Sequence, residues 1–253
     1  PLASFAAKRR VKAATLPQIE RKIAVLIGID DYADARIPKL ANAAGDARAV
    51  GALLEGKLGY ETVVLANAGK AQIIRTLNTL AATLGPKDSI VVYYAGHGQL
   101  VSGTGLGYWQ VGDADAADAK SWLSNADIGK LISRLGASQV ALVSDSCFSG
   151  SLVSDERIRP LAGGADAGTL LSRRAAVVMS SGGNEPVFDA GKNGHSPFAF
   201  SLMQTLQGVP TWQAGGNVFE RVRFAVAREL PQRPRYGAAV AGGHEAGSDY
   251  LFE

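Results

Sequence analysis

The sequence predicts an α/β protein, a mostly parallel sheet with helices packed on both faces. Three observations carry that expectation. Short β-branched apolar runs at 23–29, 89–94, 139–144 and 175–179 lack the apolar–polar alternation of half-exposed strands, as strands buried on both faces do. Between several of these runs lie stretches whose apolar residues recur at a helical period. The two segments richest in chemistry, Gly96-His97-Gly98 and Asp145-Ser146-Cys147-Phe148-Ser149-Gly150, each follow such a run directly. Open α/β sheets bind ligands at the carboxyl ends of their strands.

Taken in order, the first strand at 23–29 ends at Asp30-Asp31, and Ala43, Ala47, Val50, Leu53 and Leu54 mark a helix over 42–55. A Leu58-Gly59-Tyr60 break precedes a short strand at 61–65, and Ile73, Ile74, Leu77, Leu80 and Leu84 predict a helix over 72–84. The strand at 89–94 leads into a Gly-rich excursion through Trp109; a helix over 126–135 and the strand at 139–144 then deliver Cys147. From Ser154 to Ser172 the periodicity lapses into Gly, Asp and Arg, which predicts a long exposed loop. Order returns with the strand at 175–179, a helix over 197–206 with Pro197 in its first turn, and an amphipathic helix over 218–230. Tyr250-Leu251-Phe252 is expected to close the sheet. The alternation implies right-handed crossovers, and no internal repeat interrupts it.

At 253 residues the chain is long enough to bury a substantial core. Its 26 Lys and Arg nearly balance 23 Asp and Glu, and no basic block or aromatic-interleaved stripe points to nucleic acid. The single cysteine excludes an internal disulfide and a Cys-rich zinc site. No apolar run reaches the roughly 18 residues that span a bilayer, so a soluble protein is expected, cytoplasmic or exported. Starting at Pro1 rather than Met, the chain reads as a fragment or a processed product. Its segment 1–21 is rich in Ala, Lys and Arg, lacks the apolar core of a signal peptide, and reads as a lead-in arm.

A thiol is a strong nucleophile as thiolate, which a neighbouring imidazole generates or stabilises. His97 and Cys147 at matching strand ends therefore suggest a cysteine hydrolase. The glycines flanking His97 let the backbone approach a substrate closely. The backbone N–H groups of Gly98 and Cys147 are candidate oxyanion-hole donors. The plainer alternatives are a structural loop histidine and an inert buried thiol.

Six segments together resemble caspase-fold cysteine peptidases, and among them the bacterial caspase-like and metacaspase group. They are 22–32 (KIAVLIGIDDY), 40–47 (LANAAGDA), 93–98 (YYAGHG), 107–115 (GYWQVGDAD), 145–150 (DSCFSG) and 195–206 (HSPFAFSLMQTL). The resemblance covers most of 22–253. It implies the caspase-like (caspase-hemoglobinase) fold, with a six-stranded, mostly parallel sheet and helices on both faces. It makes Cys147 the nucleophile and His97 its base, with no obligatory third carboxylate; their separation of about 50 residues is that family's spacing. It also divides the chain into the arm at 1–21 and a peptidase domain at 22–253. Within the domain, 22–153 is large-subunit-like, 154–174 a linker loop and 175–253 small-subunit-like.

Asp145 stands where aspartate-specific caspases carry a small residue and metacaspases an aspartate that lines the primary specificity pocket. Asp46 resembles the second acidic residue of that pocket. Two carboxylates there favour Arg, through a bidentate contact, or Lys. The expected partner is thus a polypeptide with a basic residue before the scissile bond. A turn or cap role for Asp145 and a solvated helix position for Asp46 are the structural alternatives. By the same preference Arg157, Arg159, Arg173 and Arg174 are candidate self-cleavage sites, against the alternative of ordinary surface arginines.

Many metacaspases build a calcium site from acidic residues, including adjacent aspartates before the helix that precedes the cysteine strand. Here 123–128 holds one carboxylate, Asp127, and Ser154 stands where an acidic residue would follow the cysteine motif, with Asp155 beside it. Calcium takes about six to eight oxygen ligands, so calcium dependence is not favoured, no metal ligand is assigned and no cofactor is expected. Ser146 replaces a second cysteine found in some members. His195 and His244 are expected to be structural or solvent-facing, and Trp109, Trp122 and Trp212 to pack. Asp113 and Asp115 either rim the groove or solvate a loop. A monomer is favoured over a dimer. Two other classes compete: a caspase-fold scaffold with weak or lost catalysis, disfavoured by the intact His–Cys pair, and a flavodoxin-like nucleotide or flavin domain. Against the latter, Gly28-Ile29-Asp30-Asp31 offers no glycine-rich phosphate cradle.

Overall fold

A computed structural model describes residues 19–147, 149–154, 158, 166–183, 191, 193–239 and 241–253. Most of the lead-in arm, Asp155, Arg157 and Arg159 lie outside the described residues. The chain runs through β1 (Arg21–Gly28), α1 (Ala43–Leu58), β2 (Glu61–Ala66), α2 (Lys70–Ala81) and β3 (Asp88–Ala95). Next come β4 (Gly98–Val101), β5 (Leu106–Trp109), β6 (Leu123–Ser124), α3 (Asn125–Ser133) and β7 (Gln139–Asp145). The remainder comprises α4 (Ala167–Leu171), β8 (Ala175–Ser180), α5 (Pro197–Gln207), β9 (Gln213–Ala214), α6 (Gly215–Ala227), β10 (Arg235–Ala238) and β11 (Leu251–Phe252).

Six strands form one sheet in the order β10-β8-β7-β3-β1-β2. All neighbours are parallel except β10, which runs antiparallel to β8. Alternate strand residues feed opposite faces. Ile23, Val25, Ile27, Ile90, Val92, Val140 and Leu142 pack with α2 and α3 through Ile73, Leu77, Ile128 and Ile132. The intervening Ala24, Leu26, Val91, Tyr93, Ala141 and Val143 pack with α1, α5 and α6 through Val50, Leu54, Phe198, Leu202 and Val222. Burying one such Val, Leu, Ile or Phe stabilises by roughly 1.5–3 kcal/mol, so the central strands are a firm platform for the loops they carry.

The strand that closes the sheet is β10, not 250–252. Its register pairs Arg235 with Ser180, whereas β11 pairs with β9 in a separate two-stranded ribbon. β10 is short, follows Pro234 and contains Gly237, so it shows no apolar run. The 250–252 run is apolar because it is buried; the Tyr250 hydroxyl bonds to those of Tyr60 and Ser89, each at 2.8 Å. Beyond β10, the Ser154 N–H donates to the Ala238 carbonyl at 2.9 Å, and Val153 bridges Ala239.

Other departures have local causes. The expected loop at 154–172 contains α4, whose N-cap Asp166 accepts from the Thr169 N–H. The Gly-rich excursion is the antiparallel β4–β5 pair, extended by β6. Helix α2 starts at Lys70 because Asp113, remote in sequence, accepts from the Lys70 N–H at 2.8 Å, which gives Asp113 a capping role. Trp109 stacks on Tyr94 with ring centroids 4.1 Å apart, and Trp122 is buried; Trp212 packs beside Ala214 and Leu251.

Candidate active site

Strands β3 and β7 are parallel neighbours with Ala95 opposite Asp145, so the segments leaving them emerge side by side. The Gly96 N–H donates to the Asp145 carbonyl at 3.4 Å. One step on, a Cβ on Gly98 would fall 1.8 Å from the Cys147 carbonyl oxygen and 3.2 Å from its nitrogen. The two backbones are therefore in direct contact, and only glycine fits at 98. This contact brings the His97 segment against half-buried Cys147. Across β4 and β5 the Gln110 N–H donates to the His97 carbonyl at 2.9 Å, which makes Gly98 and Trp109 a non-hydrogen-bonded pair and turns the Gly98 N–H away from β5.

His97 is held from three sides. Its Nε2 lies 2.8 Å from the Pro38 carbonyl oxygen. A carbonyl only accepts, so Nε2 carries the proton and the neutral ring keeps its lone pair on Nδ1. The Tyr32 ring lies 5.3 Å from the imidazole, and its hydroxyl accepts from the His97 N–H at 2.9 Å. The single Tyr94 hydroxyl proton is shared between the carbonyls of His97 (2.9 Å) and Gln110 (2.7 Å). Burial, then the charges of Tyr32 and Cys147, push the Tyr94 phenol well above its ordinary value, so it stays a donor. Pro38 belongs to a loop clasped by Arg36, whose guanidinium reaches Asp34 at 2.7 Å and Asp115 at 2.8 Å. Arg36 beside Asp34, helped by the Ala116 N–H, holds that carboxyl well below the usual range. Asp115 is thus part of the clasp.

The two candidate pocket acids also meet. Asp46, on α1, is 1% exposed; its Oδ1 lies 2.5 Å from His195 Nδ1 and its Oδ2 accepts from the Ser196 N–H at 3.0 Å. The Ser196 hydroxyl donates to Asp145 Oδ2 and accepts from the Ala199 N–H at 2.9 Å, capping α5. One serine therefore bridges an acid from α1 and an acid from the end of β7. Both lie at the N-terminus of α5, where the helix dipole favours negative charge. Ser196 was detectable as a Ser-Pro helix start. The role of His195 carried no local signal, because its partner is 149 positions away.

The remaining candidates lie apart from this cluster. Arg174 is half-buried; its guanidinium donates to the carbonyls of Ala137 and Gly242, and its own carbonyl accepts from the Glu245 N–H and the Ser248 hydroxyl. Arg173 is exposed and donates to the Ala246 carbonyl. His244 Nδ1 accepts from the Ala176 N–H. Ser124 caps α3 in a reciprocal pair with Asp127. Among the described residues no group of three or more His, Cys, Asp and Glu is placed to hold a metal ion, and no helix is long and apolar enough to cross a membrane.

Comparison with known proteins agrees with this architecture. A family model described as the caspase domain matches residues 21–240. The crystal structure of a protein from Geobacter sulfurreducens is similar at 18% identity, with a TM-score of 0.62, over 91% of this chain and 99% of that one. Caspase-1 from Spodoptera frugiperda is similar at 14% identity, with a TM-score of 0.65, over 93% and 99%. No curated protein sequence matches. At these identities the structural likeness is one of fold, an α/β caspase fold with a six-stranded, mostly parallel sheet.

Proposed function

The chain belongs to the caspase-domain family, and from that premise we propose that it is a cysteine endopeptidase with a His97–Cys147 dyad, cutting polypeptides after Arg or Lys. The observation that carries this reading is the backbone contact between Gly98 and Cys147, which puts the imidazole and thiol segments at one sheet end. His97 Nδ1 takes the thiol proton, and the Cys147 thiolate attacks the scissile carbonyl carbon. The Gly98 and Cys147 N–H groups receive the oxyanion, and the imidazolium returns the proton to the leaving amine. Water, deprotonated by His97, then attacks the thioester, and the released thiolate takes the proton back. Asp145, with Asp46 behind it, supplies the negative charge that selects a basic side chain.

In this reading 22–153 is the large-subunit-like part, 154–174 the linker and 175–253 the small-subunit-like part, in a monomer of the bacterial caspase-like and metacaspase group. No calcium is required. Self-cleavage falls after Arg157, Arg159, Arg173 or Arg174; the last two are the poorer sites, because the Arg174 N–H donates to Glu245 and the Arg174 carbonyl accepts from the Glu245 N–H and the Ser248 hydroxyl.

The test is hydrolysis of matched fluorogenic peptides ending in Arg, Lys or Asp by wild type and Cys147→Ala, with calcium and with chelator. Turnover of Arg or Lys peptides should fall by at least about 10³-fold in the variant and be indifferent to chelator. Turnover of Asp peptides would overturn the basic pocket, and none in any arm would favour the scaffold reading. After storage wild type should appear as fragments whose masses sum to the intact chain plus one water, while Cys147→Ala stays intact; wild type that stays intact would reject self-cleavage.

A further inference from the structure

The acid cluster does not present two bare carboxylates. Both oxygens of Asp46 are engaged, by His195 Nδ1 and by the Ser196 N–H. Asp145 holds the Ser196 hydroxyl. The His195 side chain is 25% exposed, against 1% for that of Asp46. The charge of Asp46 therefore reaches solvent through an imidazole. A carboxylate accepts, so Nδ1 carries the proton, and of the two neutral tautomers this contact selects the one with its lone pair on Nε2. A carboxylate on one ring nitrogen fixes both the tautomer and the orientation of the other.

We infer that His195 is a specificity-determining residue: with Nδ1–H fixed on Asp46, its Nε2 accepts a hydrogen bond from the substrate's basic side chain, beside Asp145. This rests on the basic-residue pocket proposed above and deepens it. A guanidinium carries five N–H donors in a planar fork and serves Asp145 and Nε2 at once, whereas an ammonium is a compact point charge. The pairing therefore favours Arg over Lys.

Two substitutions separate binding from bracing. His195→Asn keeps an amide N–H near the Nδ1 position, for Asp46, and leaves nothing at Nε2. His195→Gln reaches the Nε2 position with an acceptor oxygen but gives up the donor to Asp46. On the full chain, His195→Asn should melt close to wild type and raise KM for the Arg peptide about tenfold, with kcat little changed. His195→Gln should melt lower yet keep more of the Arg binding. The reverse order, with Asn harmless and Gln damaging, would mean that His195 only braces Asp46. A lower KM in His195→Asn would overturn the inference too, because the ring would then be repelling the cation.

Wild type that prefers Arg or Lys beside an unchanged His195→Asn sinks this inference alone. Wild type that cuts after neutral or acidic residues, or cuts nothing, sinks the pocket reading and this inference with it. Should the variants fail to fold, ¹⁵N-histidine NMR of Cys147→Ala serves, since the chain has three histidines. The His195 Nε2 resonance should move when an Arg-ended peptide amide is added, and a stationary resonance would refute the contact.

Discussion

Main chain brings His97 and Cys147 together, whereas side chains bring Asp46 and Asp145 together. The first pair depends on two parallel neighbours, β3 and β7, and on a glycine with no room for a Cβ. The second depends on His195 and Ser196, drawn from beyond β8 to meet residues of α1 and β7. Strand pairing sets a position for the whole segment that follows it, while a side-chain bridge can be cut one bond at a time. The proposed dyad should therefore fail abruptly when its backbone contact is disturbed, and the acid cluster should weaken by steps.

The largest effect is expected from Gly98→Ala, where the added carbon meets backbone rather than a yielding side chain. Peptide turnover should drop by about 10²-fold or more, since displacements near 1 Å cost that much. An Ala variant with near-normal kcat would break the comparison at its stronger end. A smaller loss is expected from Ser196→Ala, which removes a helix cap and the donor to Asp145 together. Denaturant unfolding should report about 1–2 kcal/mol, with the kinetic change falling on KM for basic peptides. Unaltered KM would mean that the bridge does not shape the pocket.

The smallest effect concerns pH. Arg36 depresses the pKa of Asp34, so the clasp contributes stability above the ordinary carboxylate value near 3.9 and loses it as pH falls toward the depressed one. The melting-temperature difference between wild type and Asp34→Asn should be constant above about pH 5 and shrink continuously below pH 4. A difference that already fades between pH 6 and 5 would assign it to another group.

The contrast also explains what could be read in the sequence. His97 and Cys147 were legible because each follows its own apolar run, and parallel runs end at the same side of a sheet. Asp145 was legible by its place beside Cys147. Pro38 was not, because it contributes a carbonyl that every residue possesses, and only tertiary packing selects which one. The contact of His195 is not legible either, because neither its glycine-rich neighbourhood nor its spacing announces Asp46. β10 was hidden for a further reason: Arg235-Tyr236-Gly237-Ala238 gains its partner from β8 and not from its own propensity.

The hydrogen bond from Ser154 to the Ala238 carbonyl bears on growth of the sheet by outside strands. An outermost strand exposes unpaired backbone groups that template pairing with other chains, and proteins blunt that hazard by covering it. Here the cover is residues 153 and 154, a few positions after Cys147. A foreign strand that would lengthen the sheet at Ala238 has first to peel that segment away. Its docking would disturb the segment that carries Cys147, so aggregation through this border and loss of the proposed site would be one event.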